Sequence, residues 1–314
     1  MSPVLSVVVP VFNEEGNLPE LHRRLAAVLP AVVDSWEIVF VDDGSRDRSW
    51  ELIRGLAAAD PHVRGVRFSR NFGHQMAFAA GLDHARGDAV VIMDADLQDP
   101  PELIPELVAR WREGHEVVYA VRTRREGETL FKKLTASVFY RLLRRITQVE
   151  IPVDTGDFRL MGRRALEAFR RLPERHRFTR GLVAWVGFSQ VGVPYARAAR
   201  KAGETNYPLR KMLRFAVDAI TSFSHVPLQL ATWLGFLTSL FAFAYIVVVV
   251  VLKFVGISWP GYTSLMAAIL FLGGVQLVMI GLLGEYLGRV YDEVKGRPLY
   301  LVQDTVGSDP GPRT

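Results

Sequence analysis

The chain of 314 residues contains no cysteine. That absence excludes a disulfide scaffold, thiol catalysis, iron–sulfur clusters and zinc sites built on thiolates. No GxxxxGKS/T segment is present, so the chain is not a P-loop ATPase. Its first apolar run leads into Phe12-Asn13-Glu14-Glu15-Gly16-Asn17, where a dinucleotide-binding fold would carry GxGxxG. Charge is missing from one long stretch: between Val226 and Gly284 only Lys253 is charged at neutral pH. Over the whole chain the composition is that of a folded protein, 49% hydrophobic and 23% charged, which excludes a disordered or collagen-like chain. The length corresponds to roughly two structural units. A net charge of +5 favours an anionic partner, for which nucleic acid, phospholipid and phosphorylated substrates all qualify.

Lys253 divides the uncharged stretch into Val226–Leu252 and Phe254–Gly284. Each run exceeds the roughly 20 residues that a helix needs to cross ~30 Å of hydrocarbon. Soluble core helices, the competing reading, rarely run so long without a charge. Gly256, Pro260 and Gly261 mark a turn between the runs, so two transmembrane helices are expected over about 226–252 and 262–287. Arg197, Arg200, Lys201, Arg210, Lys211 and Arg214 precede them, and Arg289, Lys295 and Arg297 follow. The positive-inside rule then places both ends in the cytoplasm. Met1–Pro10 has no basic n-region and reads as a strand, not a signal peptide.

Two further segments have apolar residues at helical spacing with basic residues around them. Over 129–146, Leu130, Leu134, Val138 and Leu142 accompany Lys132, Lys133, Arg141, Arg144 and Arg145. Over 209–223, Met212, Leu213, Ala216 and Ile220 accompany Arg210, Lys211 and Arg214. Such helices suit an anionic membrane surface, or else pack on a core with a solvated face.

The first part of the chain alternates strands and helices. Strands are expected at Leu5–Val11, Glu37–Val41, Val63–Phe68, Ala89–Met93 and Glu116–Ala120, with helical patterns between them. This alternation predicts an α/β fold with a mostly parallel sheet, whose ligands bind beyond the carboxyl ends of the strands. Polar clusters begin where strands stop: Phe12-Asn13-Glu14, Asp42-Asp43-Gly44-Ser45, and Asp94-Ala95-Asp96-Leu97-Gln98-Asp99. Asp47 and Asp99 read equally well as helix caps or turn residues. Asp94 and Asp96 repel one another unless a cation or a donor offsets them. Oxygen ligands favour a hard ion, Mg²⁺ or Mn²⁺, shared with substrate phosphates.

At these residues the sequence resembles family 2 glycosyltransferases of the GT-A fold, and most of all those that use polyprenyl phosphates. That group includes dolichyl-phosphate mannose synthases and bactoprenol glucosyltransferases. The segments that carry the resemblance are VPVFNEE (9–15), VDDGSRD (41–47), SRNFGHQMA (69–77), DADLQDPPE (94–102), TGDFRLM (155–161), AGETNYPLRK (202–211) and GEYLGRVYDEVKGRP (284–298). The resemblance implies a cytoplasmic GT-A catalytic domain over 1–205 and an interfacial helix over 206–225. A transmembrane hairpin over 226–288 and a cytoplasmic tail over 289–314 would follow, in a bacterial inner membrane. It also implies transfer of a hexose, glucose from UDP-glucose before mannose from GDP-mannose or a modified sugar, to a membrane polyprenyl phosphate with inversion.

By the same resemblance, Pro10, Phe12, Glu14, Val41 and Asp43 frame the nucleotide, and Asp94, Ala95 and Asp96 form the DXD segment. Asp96, Asp94 and Gln98 would hold the Mg²⁺ or Mn²⁺ ion, and Arg122 and Arg200 would contact phosphates. Arg124, Arg125, Lys201 and Lys211 would serve the acceptor phosphate. Asp157 takes the place of a general base, or aligns the acceptor, or is a turn residue. Asn206 stands where the family commonly has lysine. The resemblance leaves a homo-oligomer open. A processive polysaccharide synthase is disfavoured because QxxRW is absent, and nucleic-acid binding because no recognition motif accompanies the basic residues. A membrane protein that binds nucleotide sugars without catalysis remains the alternative of a different class.

Overall fold

The computed structural model describes residues 4–122, 155–175, 177, 179–195, 226–256 and 261–307. Two compact units result, one of Met1–Leu209 with Arg297–Thr314 and one of Arg210–Gly296.

The first unit is built on β1 (Leu5–Val11), β2 (Trp36–Asp42), β3 (Val63–Phe68), β4 (Ala89–Ile92), β5 (Val117–Arg122), β6 (Thr155–Gly162), β7 (Gln190–Tyr195) and β8 (Val302–Val306). They form one sheet in the order β7-β5-β6-β4-β1-β2-β3-β8. β1 pairs in parallel with β2 and β4, β2 with β3, and β5 with β7. β4–β6, β5–β6 and β3–β8 are antiparallel. The sheet is therefore mixed, with a parallel centre and antiparallel pairs toward both edges.

The continuous apolar runs of β1, β2 and β4 follow from this position. Every residue of these strands is buried, because helices cover both faces of a parallel sheet. In α1 (Leu18–Val28), Leu18, Leu21 and Leu25 supply the buried stripe at helical spacing. The remaining helices of this unit are α2 (Ser49–Ala59), α3 (His74–His84), α4 (Ile104–Arg112), α5 (Arg163–Arg170) and α6 (Thr179–Trp185). α3 lies so close to the sheet that a Cβ at Gly81 would stand 2.1 Å from Val8 Cγ1.

The expected strands and helices over residues 5–114 are present, and β5 runs on to Arg122. β6, β7 and β8 are additions. The sequence reading assigns 289–314 to a tail and draws no strand in it, whereas Val302–Val306 lies on the edge of the sheet against β3.

The second unit contains α7 (Val226–Phe254) and α8 (Tyr262–Val294). Within them Val226–Leu252 and Ser264–Val294 are long and apolar enough to cross a membrane, and none of their most apolar windows is buried. α8 continues beyond the expected end at 287. At 33 residues it spans about 50 Å, more than the hydrocarbon thickness, and its last turns carry Arg289, Asp292 and Glu293. The segments 129–146 and 209–223 lie outside the described residues.

Candidate active site

In the sheet order, β2 and β3 lie on one side of β1 and β4 lies on the other. The chain therefore reverses its winding between β1 and β4, and a crevice opens there at the carboxyl ends of the strands. A cleft of about 300 Å³ occupies this position, lined by Pro10, Val11, Phe12, Glu14, Asp43, Asn71, Gly73, His74, Ala77, Asp94, Ala95 and Asp96.

The loops that build the cleft are fastened to each other. Asn13, at φ +56°, turns the chain sharply after β1. Its amide donates to Ser45 Oγ and its Oδ1 accepts from the Arg46 amide. The Glu14 amide donates to Ser49 Oγ and the Glu15 amide to Asp47 Oδ2. Asp47 Oδ1 also accepts from the Ser49 amide, so Asp47 is a turn-forming residue at the start of α2. Asp43 accepts from the Phe72 and Gly73 amides and so ties the β3–α3 loop to the end of β2. Burial pushes the Asp43 carboxyl up, and these amides offset only part of that rise.

Of the residues expected to bind nucleotide, Pro10, Phe12, Glu14, Asp43, Asp94 and Ala95 meet in the cleft, together with Asp96. Phe12 is 45% exposed, an aromatic face open at the mouth. Val41 does not reach the cleft. It is fully buried in β2, and its Cγ2 would lie 3.3 Å from a Cβ on Gly81 of α3, so it is a packing residue. Gln98 and Arg122 do not line the cleft either. Gln98 donates its amide to Asp96 Oδ1, closing the DXD turn around Leu97 at φ +60°. Arg122 Nε donates to Tyr195 Oη at 3.4 Å, and its Nη2 lies 2.7 Å from where a Gly156 Cβ would be. Arg124, Arg125, Arg200, Lys201, Asn206 and Lys211 lie outside the described residues.

Asp157, on β6, is buried and accepts from Arg180 Nε at 2.9 Å. Arg159 Nη2 stands 3.9 Å from the same oxygen, and His74 Nε2 lies 3.8 Å from Oδ2. His74 Nε2 is also 3.3 Å from Asp94 Oδ1, so one imidazole joins the DXD segment to Asp157. Burial alone would raise the Asp157 carboxyl, but Arg180, Arg159 and His74 together hold it below the ordinary carboxylate value. Burial would lower the His74 imidazole, and the Asp94, Asp157 and Asp43 carboxylates outweigh it and raise it. Burial brings the Arg159 guanidinium down to about 10.

Asp99 is fully buried and accepts from Tyr195 Oη at 2.8 Å, so its place is structural. Sequence reasoning gave no role to His74, Arg180, Arg159 or Tyr195. His74 stood within a segment that carried the resemblance, SRNFGHQMA. Arg180 offered no local signal, because its partner is 23 residues away.

The cleft is acidic, and an anionic ligand requires a cation there. Asp94 Oδ1 is buried without a hydrogen bond, beside an ion-pair partner at 3.3 Å. Among the described residues no group of three or more His, Cys, Asp or Glu side chains is placed to hold a metal. Asp94 and Asp96 nevertheless fit a hard divalent ion held by one or two carboxylates, with phosphates and water completing its shell.

Residues 6–170 match the family described as glycosyl transferase family 2, and residues 226–290 match the GtrB C-terminal hairpin. The chain is 53% identical over 303 residues to YkcC, an uncharacterized glycosyltransferase of Bacillus subtilis (strain 168), covering 96% of this chain and 94% of that protein. It is 50% identical over 309 residues to sll0501, an uncharacterized glycosyltransferase of Synechocystis, at 98% and 97% coverage. It is 43% identical over 307 residues to the SfII prophage-derived bactoprenol glucosyl transferase of Shigella flexneri, at 98% and 99% coverage. Strand order, cleft and full-length likeness agree, and the protein belongs to glycosyl transferase family 2, with a GT-A fold and a membrane-associating C-terminal hairpin.

Proposed function

We propose that this protein transfers glucose from UDP-glucose to the phosphate of a membrane polyprenyl lipid, with inversion at the anomeric carbon. The observation that carries this reading is the joining of Asp94 to Asp157 through His74 at the mouth of the β1–β4 crevice. The full-length likeness to bactoprenol glucosyl transferases supports the sugar and the acceptor.

Phe12, Pro10, Glu14 and Asp43 would receive the nucleoside. Asp94 and Asp96, with Gln98 closing their turn, would hold Mg²⁺ or Mn²⁺, which when bound neutralises charge on the diphosphate. Arg122 and Arg200, both by resemblance, would add guanidinium groups to the leaving phosphates. In the transfer an acceptor phosphate oxygen forms a bond to the anomeric carbon as the bond to the nucleoside diphosphate breaks. UDP departs with the electron pair, and charge grows where cations stand.

Asp157 acts here by position. A phosphate monoester, with a second pKa near 6, is already largely ionised at neutral pH and needs no strong base. A carboxylate held low by Arg180 and Arg159 is also a weak base. Its buried ion pairs instead fix Arg180 and His74 around the reacting centre. Arg124, Arg125, Lys201 and Lys211 are proposed for the acceptor phosphate, and both termini are proposed to be cytoplasmic.

The test is transfer of label from UDP-glucose or GDP-mannose to polyprenyl phosphate in detergent, with Mg²⁺, with Mn²⁺ and with EDTA. Label from UDP-glucose that is lost with EDTA is expected. Label from GDP-mannose alone would overturn the sugar, and label retained in EDTA would overturn the metal.

A further inference from the structure

The chain beyond the hairpin does not trail away from the catalytic unit. Only Lys295, Gly296 and Arg297 separate the end of α8 from Pro298, whose carbonyl accepts from Arg175 Nη2. Leu301 O accepts from the Ser69 amide at 3.0 Å, and β8 then pairs along β3 from Phe68↔Val302 to Gly65↔Val306. The fit is close. Val306 Cγ2 lies 2.8 Å from where a Gly65 Cβ would be, and a Cβ on Gly307, at φ +90°, would meet Val63 O at 2.5 Å.

Tyr300 sits at the centre of this attachment. Its ring stacks on Phe68 with centroids 5.0 Å apart and planes 18° apart, and its hydroxyl donates to Asp83 Oδ2 at 3.0 Å. Phe68 ends β3 and Asp83 lies near the end of α3. Between them runs the loop that brings Asn71, Gly73 and His74 to the cleft. Phe68 in turn meets Phe72 of that loop edge to face at 5.6 Å. On its other side the loop hangs from Asp43 and lies so close to Gly44 that a Cβ there would be 2.6 Å from Arg70 C. One tyrosine from the far end of the chain thus ties the residue before a cleft-forming loop, Phe68, to the far end of the helix that follows that loop, at Asp83.

We propose that Tyr300 is a positioning residue for the nucleotide side of the cleft, and that the segment after the hairpin is an integral part of the donor site. Its ring holds the end of β3 and its hydroxyl holds α3, which fixes where Asn71, Gly73 and His74 meet the ligand. The inference rests on this cleft being the nucleotide site. A loop that must be ordered at each binding event lowers affinity, so loosening the brace appears as weaker nucleotide binding.

The experiment uses the full-length protein in detergent, comparing wild type with Tyr300→Ala, Tyr300→Phe and Asp83→Asn. The readouts are the Kd for UDP with Mn²⁺ and amide hydrogen exchange without nucleotide. Tyr300→Ala is expected to raise the Kd about tenfold and to speed exchange within residues 69–76 while the strands β1, β2 and β4 stay protected. Tyr300→Phe and Asp83→Asn, which keep the ring stack, are expected to shift both readouts less and in the same direction. An unchanged Kd and unchanged exchange in Tyr300→Ala would overturn the proposal. So would loss of protection spread evenly over the sheet, since that marks a purely structural residue. Should Tyr300→Ala fail to fold, the same two readouts on Tyr300→Phe and Asp83→Asn decide the question. A wild type that does not bind UDP would strike at the donor assignment, while the exchange without nucleotide would still judge the brace.

Discussion

At the scale of single residues, the cleft is a place where burial and charge oppose each other. Asp94 and Asp96 share a short turn that leaves one buried carboxylate oxygen without a hydrogen bond, an arrangement that suits a cation arriving with the substrate. Asp96→Ala is therefore expected to lower kcat by about 100-fold or more, in the range of other losses of transition-state charge stabilisation. Initial rates across a Mn²⁺ titration measure this, and a variant with wild-type rates would remove Asp96 from the metal site. Asp157 presents the opposite case, a buried anion held by the buried Arg159 and the half-buried Arg180. Its carboxyl is held below the unfolded value of about 4, so its contribution to stability is complete above that value and disappears as pH falls through the folded one. Asp157→Asn removes the negative charge beside Arg180 and Arg159, and a loss of about 3 kcal/mol at pH 7 is expected. The gap from wild type should narrow below about pH 4. Urea unfolding at both pH values, followed by tryptophan fluorescence, reads the difference; a gap that does not change with pH would contradict the charge argument.

At the scale of elements, legibility followed burial. β1, β2 and β4 were visible because a parallel strand covered on both faces is apolar along most of its length, and runs such as Val7–Val9, Ile38–Val41 and Ala89–Ile92 are hard to mistake. β6 is equally buried, yet its sequence, TGDFRLMG, alternates polar and apolar residues. Asp157 and Arg159 neutralise each other inside the protein, and that pairing with Arg180 from a distant helix cannot be read from a single segment. β8, VQDTV, is mostly exposed at the sheet edge and so has the composition of a tail. Of the site itself, the strand ends pointed to Phe12, Glu14, Asp43, Asp94 and Asp96, because ligands gather where parallel strands stop, and the family resemblance added Pro10. The contacts from the β3–α3 loop, Asn71 and Gly73, and from the first residue of α3, His74, required the fold. One turn among these elements is tightly determined. Gly44 has φ +69° and faces the Arg70–Asn71 backbone, so Gly44→Ala must displace the β3–α3 loop as well as strain the turn. Weaker nucleotide affinity together with a thermal shift of a few degrees is expected, measured by UDP titration and thermal unfolding; unchanged affinity would mean that the loop moves without consequence for the ligand.

At the scale of the whole molecule, the hairpin and the segment behind it do different work, although they are contiguous. The hairpin exposes apolar side chains along α7 and α8, among them Trp233, Phe241, Phe271 and Leu277, as a surface bound for hydrocarbon would. Val302–Val306 belongs to the catalytic sheet. A truncation after His225 removes both, and loss of nucleotide binding in such a protein would say nothing about the membrane. Joining residue 225 to residue 297 through a flexible linker removes the hairpin and keeps Tyr300 and β8. That variant is expected to bind UDP within about threefold of wild type, since the tied loops of the cleft are retained. Transfer to a long-chain polyprenyl phosphate in bilayers should fall by about 100-fold or more, because anchoring replaces a bimolecular encounter by one at high effective concentration. A short, water-soluble prenyl phosphate gains nothing from anchoring and should be used at a similar rate by both proteins. Comparing the two acceptors in one assay separates the roles. Equal loss on both acceptors would mean that the hairpin shapes the active site, and equal activity on both would mean that the membrane is dispensable for presenting the lipid.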